Sequence, residues 1–242
     1  MESFHWNERE QSLKERESQP EKQELLRRKE VRTEVMRKAV QQLAEMKAEP
    51  ERFLDQGGAG SVYEVMAGMC MKVPLRHYVF PSDHYDLGNT LDVEASFLRR
   101  VSGIYHAGVR APGYIGLATN QGLSGLVMEK LPAVNFQKVL SGEEPLPETF
   151  NENKFFSALE KYIDFMHQDL QVAHGDLYSR NVMMDRKSGM PYVIDFGRSK
   201  FLHTIPDQER VQAVRSDADR LDELYDAFAD ASDKGVLTYS KL

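Results

Sequence analysis

The sequence predicts an α+β fold of two lobes, the first mostly β and the second mostly helical, behind a charged helix. Three observations carry this. Short apolar runs separated by glycine and asparagine turns fill residues 53–129. Apolar residues at helical spacing dominate from residue 136 onward. Residues 1–50 hold 11 basic and 11 acidic side chains and no glycine, so the net charge of −7 belongs wholly to the remainder.

The 242 residues, 41% of them hydrophobic, allow a sizeable core. Several classes drop out. No run of 18 apolar residues exists, so no membrane span is expected. The first residues, MESFHWNEREQSLKERE, contain no apolar stretch of signal-peptide type. Cys70 is the single cysteine, which excludes an internal disulfide and a multi-cysteine zinc site and fits a reducing compartment. The acidic body argues against direct nucleic-acid binding, because phosphate contacts need an excess of Lys and Arg. No internal repeat is visible.

Residues 1–19 are polar and mixed in charge, and Pro20 is expected to break a frayed helix or disordered stretch. Glu21 to Ala48 are good helix formers, with Met36, Val40, Leu43 and Ala44 in one apolar stripe, and Pro50 ends the segment. This helix either docks that stripe on the body or serves as a partner-docking element. Leu54 to Val65 reads strand, glycine turn, strand, and Met69–Pro74 reads as a third strand. Residues 75–90 form a loop, and Leu91–Val101 a helix with Val93, Phe97, Leu98 and Val101 on its apolar side. Tyr114–Thr119 and Leu123–Glu129 form a hairpin around Asn120-Gln121-Gly122.

The second lobe begins near residue 131. Phe136–Leu140 is a short helix and Asn153–Asp169 a long one. Val182–Met184 and Tyr192–Ile194 are short strands around Arg186-Lys187-Ser188-Gly189. Ser216 is expected to cap a last helix, with Asp219 at the third position of a capping box and Leu221, Leu224, Tyr225 and Phe228 as its stripe.

Four segments carry chemistry. The glycine turn Gly57-Gly58-Ala59-Gly60 lets backbone N–H groups approach a phosphate, although a hairpin turn alone explains it. It leads into a strand and lacks a Gly-Lys-Ser/Thr ending, which excludes Walker and Rossmann loops. Lys72 lies in an apolar strand, where an ammonium needs a partner, and Glu94 on the next helix is the natural one. In His174-Gly175-Asp176-Leu177-Tyr178-Ser179-Arg180-Asn181, Asp176 suits a general base and Asn181 an oxygen ligand for Mg²⁺. Asp195 ends an apolar strand ahead of Phe196-Gly197, well placed for a metal. Each segment is weak singly; their order and context make them a set.

The set resembles the protein-kinase signature over roughly residues 53–230. The resemblance implies a two-lobed protein-kinase-like fold: an N-terminal extension at 1–50, and a minimal domain at 51–242 whose lobes meet near residue 130. It implies ATP and Mg²⁺ (or Mn²⁺) as cofactors. Gly57, Gly58, Gly60, Val62, Cys70, Lys72, Met128, Glu129 and Leu131 would bind nucleotide, with 128–131 as the hinge. Asp176, Lys72 and Glu94 would be catalytic, and Asn181 and Asp195 would hold the metal. Asp217 or Asp219 would brace the catalytic loop.

The departures are specific. Asp55 replaces the first glycine, His-Gly-Asp lacks an arginine before the base, Tyr178 stands where a lysine is usual, and no Ala-Pro-Glu follows. The arrangement is similar to small atypical kinases: the RIO family, the kinase of the KEOPS complex, lipopolysaccharide-sugar kinases and minimal bacterial effector kinases. That similarity implies a serine/threonine protein kinase independent of activation-loop phosphorylation, acting on a protein substrate. It implies a cytoplasmic site, or a host cell for a delivered effector. A small-molecule kinase of aminoglycoside- or choline-kinase type is the alternative, and a pseudokinase acting as a binding module is a third reading.

Overall fold

The computed structural model describes residues 4–45, 53–56, 60–74, 91–120 and 123–240. Gly57, Gly58, Pro50, loop 75–90 and the turn at Gln121-Gly122 lie outside the described residues.

The first lobe is a five-stranded antiparallel sheet. Strands β1 (Phe53–Gln56), β2 (Gly60–Met66), β3 (Met69–Pro74), β4 (Tyr114–Asn120) and β5 (Leu123–Glu129) lie in the order β1-β2-β3-β5-β4. Helix α2 (Leu91–Val101) follows β3 in sequence and buries Glu94 along with Ala95, Phe97, Leu98 and Val101. The register sets Lys72 opposite Val62 on one side and Leu126 on the other. Cys70 faces Met128, and the alternating residue Met71 faces Val127. By the two-residue period, Lys72 and Cys70 share one sheet face and Met71 the other.

That other face is covered by α1 (Phe4–Glu45). Val35, Ala39 and Leu43 of α1 form a core with Val65, Met71, Val73, Ala118 and Val127. Met36 and Val40 pack against it, as the stripe predicts; the side chain of Ala44 lies outside the described residues. Two glycines make the approach close. A Cβ on Gly116 would meet Met36 Sδ at 2.8 Å, and one on Gly125 would strike Met71. Gln42 Nε2 and Asn120 Nδ2 add hydrogen bonds across the same joint, to the carbonyls of Glu64 and Val40. Pro20 does not break α1, which runs continuously from Phe4. A proline removes only its own N–H from the ladder, and the turns on either side keep theirs.

The second lobe packs around aromatic side chains. Here lie β6 (Ala133–Asn135), α3 (Phe136–Leu140), α4 (Glu152–Phe165), β7 (Val172–Ala173), β8 (Val182–Asp185), β9 (Pro191–Val193), β10 (Lys200–Phe201) and α5 (Asp207–Asp233). Phe136, Phe150, Phe155, Phe156 and Phe228 form one cluster with ring centroids 5.3–6.2 Å apart. Asn151 caps α4 through the N–H of Lys154. The helix widens into a π turn at Met166–Leu170 and stops at Gln171, whose φ is 56°.

Helix α5 corrects the expected cap at Ser216. It begins at Asp207, after Pro206, and Ser216 sits in its interior. Pro206 cannot continue a helix backward, and Asp207 and Glu209 place negative charge in the first turn, where the helix dipole favours it. The stretch from Asp195 to the helix is therefore shorter than the sequence implies, spanning residues 196–206. Strands β6, β7 and β10 have no counterpart in the sequence reading, because two or three residues carry no periodicity.

Leu43 is fully buried at the α1–sheet joint, whereas Leu25 is 68% exposed on the same helix. Leu43→Ala is expected to cost about 2–5 kcal/mol and Leu25→Ala under about 0.5 kcal/mol. Urea denaturation of the two variants checks this.

Candidate active site

Lys72 comes from β3, Glu94 from the first turn of α2, and Asp195 from the end of β9. Lys72 Nζ lies 2.9 Å from Glu94 Oε1 and 2.7 Å from Asp195 Oδ1. Burial opposes the charge of Lys72, but Glu94 and Asp195 more than offset it and hold the ammonium above its usual range. Burial pushes the Glu94 carboxyl up against the pull of Lys72, with the charge of Asp195 adding to the push. Asp195 remains 31% exposed on its side chain. Burial works against its charge, yet Lys72 and the N–H of Gly197 hold it below the ordinary carboxylate range. Its φ of 62° is left-handed, an uncommon conformation for a residue with a side chain and one that marks functional sites.

Asp176 and Asn181 are joined directly. Asn181 Nδ2 donates to the Asp176 carbonyl at 2.7 Å and to its Oδ2 at 2.8 Å. Both amide hydrogens are spent there, which leaves the Asn181 side-chain oxygen as the atom suited to a cation. Among the described residues no group of three His, Cys, Asp or Glu side chains forms a metal cluster. One carboxylate and one amide oxygen fit Mg²⁺, which takes few protein ligands and completes its shell with phosphate oxygens and water.

The loop carrying Asp176 is held from beneath. Asp217 of α5 is 1% exposed and accepts the N–H of His174 at 2.7 Å and of Gly175 at 2.9 Å; His167 Nε2 lies 2.9 Å away. Burial opposes its charge, but His167 and these neighbours hold the carboxyl below the ordinary range. Asp219 points elsewhere, reaching only Arg215 at 4.0 Å on the exposed side of the helix. Asp217 is therefore the brace that the sequence left undecided. His174 is fully buried; its Nδ1 accepts the N–H of Asp176 and its Nε2 donates to the carbonyl of Ile194. The ring thus ties the Asp176 loop to the Asp195 strand. Gly175 has φ 75°, and a Cβ there would strike the Arg198 carbonyl, so no arginine fits before Asp176 without moving that backbone.

Lys72, Glu94, Asp176 and Asp195 line one open cleft, with Pro74, Leu91, Gly197 and Arg198. Val62, Cys70, Met128, Glu129 and Leu131 are not among its lining; they lie along β2, β3, the end of β5 and the β5–β6 connection. Gly60 is within the described residues and packs tightly; a Cβ would meet the Val73 carbonyl at 2.7 Å. The side chain of Glu129 is committed to structure. Arg110 holds it with two bonds of 2.5 and 2.8 Å, and Gly113 N–H donates to it. Arg110 also lies 4.9 Å over the Tyr192 ring and accepts the Val193 N–H on its carbonyl, so it straps the end of β5 to the second lobe.

The sequence reading missed Arg110, His167, Arg180, Arg198 and Arg220. Arg110 and His167 have partners 19 and 50 residues away, and nothing local marks them. Arg180 and Arg198 lie inside or beside the quoted motifs and were legible there.

The fold and this constellation define a chain of the kinase-like superfamily. Residues 54–236 match the profile described as "APH: Phosphotransferase enzyme family", and the chain belongs to that family. No curated protein matches it in sequence. Two solved structures of WbdD, one described as a bifunctional kinase-methyltransferase, align with TM-scores of 0.48 and 0.46 at 20% and 21% identity. They cover 71% and 69% of this chain and 37% and 34% of WbdD, so this chain spans about a third of that protein's length.

Two predictions follow from this geometry. With its carboxyl depressed in the fold, Asp217 binds a proton less readily folded than unfolded. Its contribution is full above the unfolded pKa of about 3.9 and is lost as pH falls through the lower folded value. Asp217→Asn should cost about 2–4 kcal/mol at neutral pH and flatten the acid side of the stability–pH curve, read by denaturation from pH 7 to pH 3. Burial pushes the Cys70 thiol up to about 12. Iodoacetamide at neutral pH should leave native Cys70 unlabelled and label it in urea, read by mass spectrometry.

Proposed function

We propose that this chain is an ATP- and Mg²⁺-dependent kinase that transfers the γ-phosphoryl group to a hydroxyl, with serine or threonine side chains of a protein as acceptors. The observation that carries it is the presence in one open cleft of Lys72 between Glu94 and Asp195, and of Asp176, to which the buried Asn181 is bonded.

In this reading Lys72, oriented by Glu94, binds the nucleotide phosphates. Asn181 and Asp195 hold the metal, which supplies charge compensation for the phosphates when bound. Asp176 accepts the hydroxyl hydrogen and orients the oxygen for in-line attack. The nucleotide base lies along Val62, Cys70 and Met128, with the backbone of Glu129 and Leu131 beside it. The protein contributes position and charge rather than covalent chemistry. A protein acceptor is favoured by the short segment 196–206 beside the cleft that Asp176 lines. The pseudokinase reading has less support, because Lys72 is bonded to Glu94 and Asp195, and Asp176 to Asn181.

Asp195→Ala should abolish Mg²⁺-dependent nucleotide binding and transfer. Asp176→Ala should lower transfer at least about a hundredfold while sparing ATP affinity. Calorimetry with Mg·ATP and a γ-³²P transfer assay, including autophosphorylation, check both. Wild-type transfer by both variants at saturating ATP would sink the mechanism.

A further inference from the structure

Two guanidinium groups reach Asp176, and a third stands beside them across the Tyr178 ring. Arg180, in the 3₁₀ turn after Tyr178, places Nη2 2.9 Å from both carboxylate oxygens. Arg198, immediately after Gly197, lines the cleft with Nη1 3.8 Å from Asp176 Oδ1. Arg220 of α5 lies 4.1 Å from the centre of the Tyr178 ring, and Arg180 lies 4.4 Å from the same ring. Tyr178 therefore carries two guanidinium groups, which fixes long side chains that otherwise lose much rotamer freedom on binding.

The carboxylates bonded to this group are Asp176 and, on Arg220, Glu223. Three guanidinium groups thus share two carboxylates of their own, beside a cleft that sets Lys72 against Glu94 and Asp195. The three side chains are 48%, 51% and 32% exposed, so all retain donors for a ligand. Guanidinium presents paired donors that match a phosphate or carboxylate.

We propose that this arginine platform is the anion-binding half of the acceptor site: the acceptor is an alcohol whose molecule carries a phosphate or carboxylate close to the hydroxyl. The inference rests on the phosphotransferase reading, in that Asp176 marks where the hydroxyl sits. The paired donors suit an anionic group, which a cationic acceptor of aminoglycoside or choline type does not offer. Both an acidic peptide and a small anionic alcohol present the required chemistry.

The test uses the full chain and fluorescent serine peptides with either aspartate or lysine flanks, read by anisotropy. The aspartate peptide should bind at least about tenfold more tightly. Arg198→Ala and Arg220→Ala should each shrink that ratio severalfold, while Arg198→Lys and Arg220→Lys, which keep the charge without the paired donors, should fall between the alanine variants and wild type; circular dichroism of all four controls for folding. Displacement of the aspartate peptide by glycerol 3-phosphate, but not by choline, identifies a small anionic alcohol as the source; displacement by unlabelled aspartate peptide alone identifies a peptide. Equal affinities, tighter binding of the lysine peptide, or a ratio unchanged in both alanine variants overturns the proposal. Binding is read without turnover, so the two readings fail separately. An aspartate peptide that binds as expected but takes no label from γ-³²P-ATP removes the phosphotransferase reading and leaves the anion site standing.

Discussion

The burial of one ammonium group organises the site. Lys72 sits inside the sheet, where an unpaired charge costs several kcal/mol, so β3 is tolerable only with carboxylates brought to it. Glu94 and Asp195 meet that demand from opposite sides, one from α2 and one from the second lobe. The pair of bonds therefore links β3, α2 and the end of β9, and fixes how the lobes face each other. Phe97 reinforces the link by stacking on Phe201 at 4.2 Å, which ties α2 to the segment after Asp195. Removing any one of the three charges would leave the other two uncompensated in a partly dry place.

The second requirement is a catalytic segment held in one backbone shape. Gly175 takes a positive φ that glycine adopts freely, whereas Asp195 takes one that is uncommon for a residue with a side chain. Such conformations persist only when their surroundings over-determine them. Asp217 does this for the loop by taking two backbone N–H groups, and His174 does it by bridging to Ile194. A single buried carboxylate on α5 thus sets the position of Asp176 without touching it. The same helix contributes Arg220 to the face where the acceptor must approach, so α5 both braces the loop and shapes its charge.

The first-lobe sheet is sandwiched between the cleft and α1. Its outer face would otherwise expose Val65, Met71, Val73 and Val127, an apolar surface large enough to invite association. The buried stripe of α1 covers it, and Gly116 and Gly125 let the helix sit close. The helix extends well beyond this patch, with Leu25, Leu26 and Val31 exposed.

The elements that carried long periodic patterns were legible in the sequence. Helix 91–101, strand 123–129 and helix 136–140 fall where the apolar spacing places them, because each buries one face and the pattern records which. The polar set was legible for the same reason: Lys72 in an apolar strand and Asp176 five residues before Asn181 are local facts. The start of α5 was misread, since Ser216 carries a cap signal that the helix formers before it override. What only the tertiary structure decided concerns partners distant in sequence. The choice of Asp217 over Asp219, the strap from Arg110 to Glu129, the approach of Arg198 to Asp176 and that of Arg220 to Tyr178 all depend on loop closure between remote elements. Composition and periodicity record what each residue needs; only the packed chain decides which neighbour supplies it.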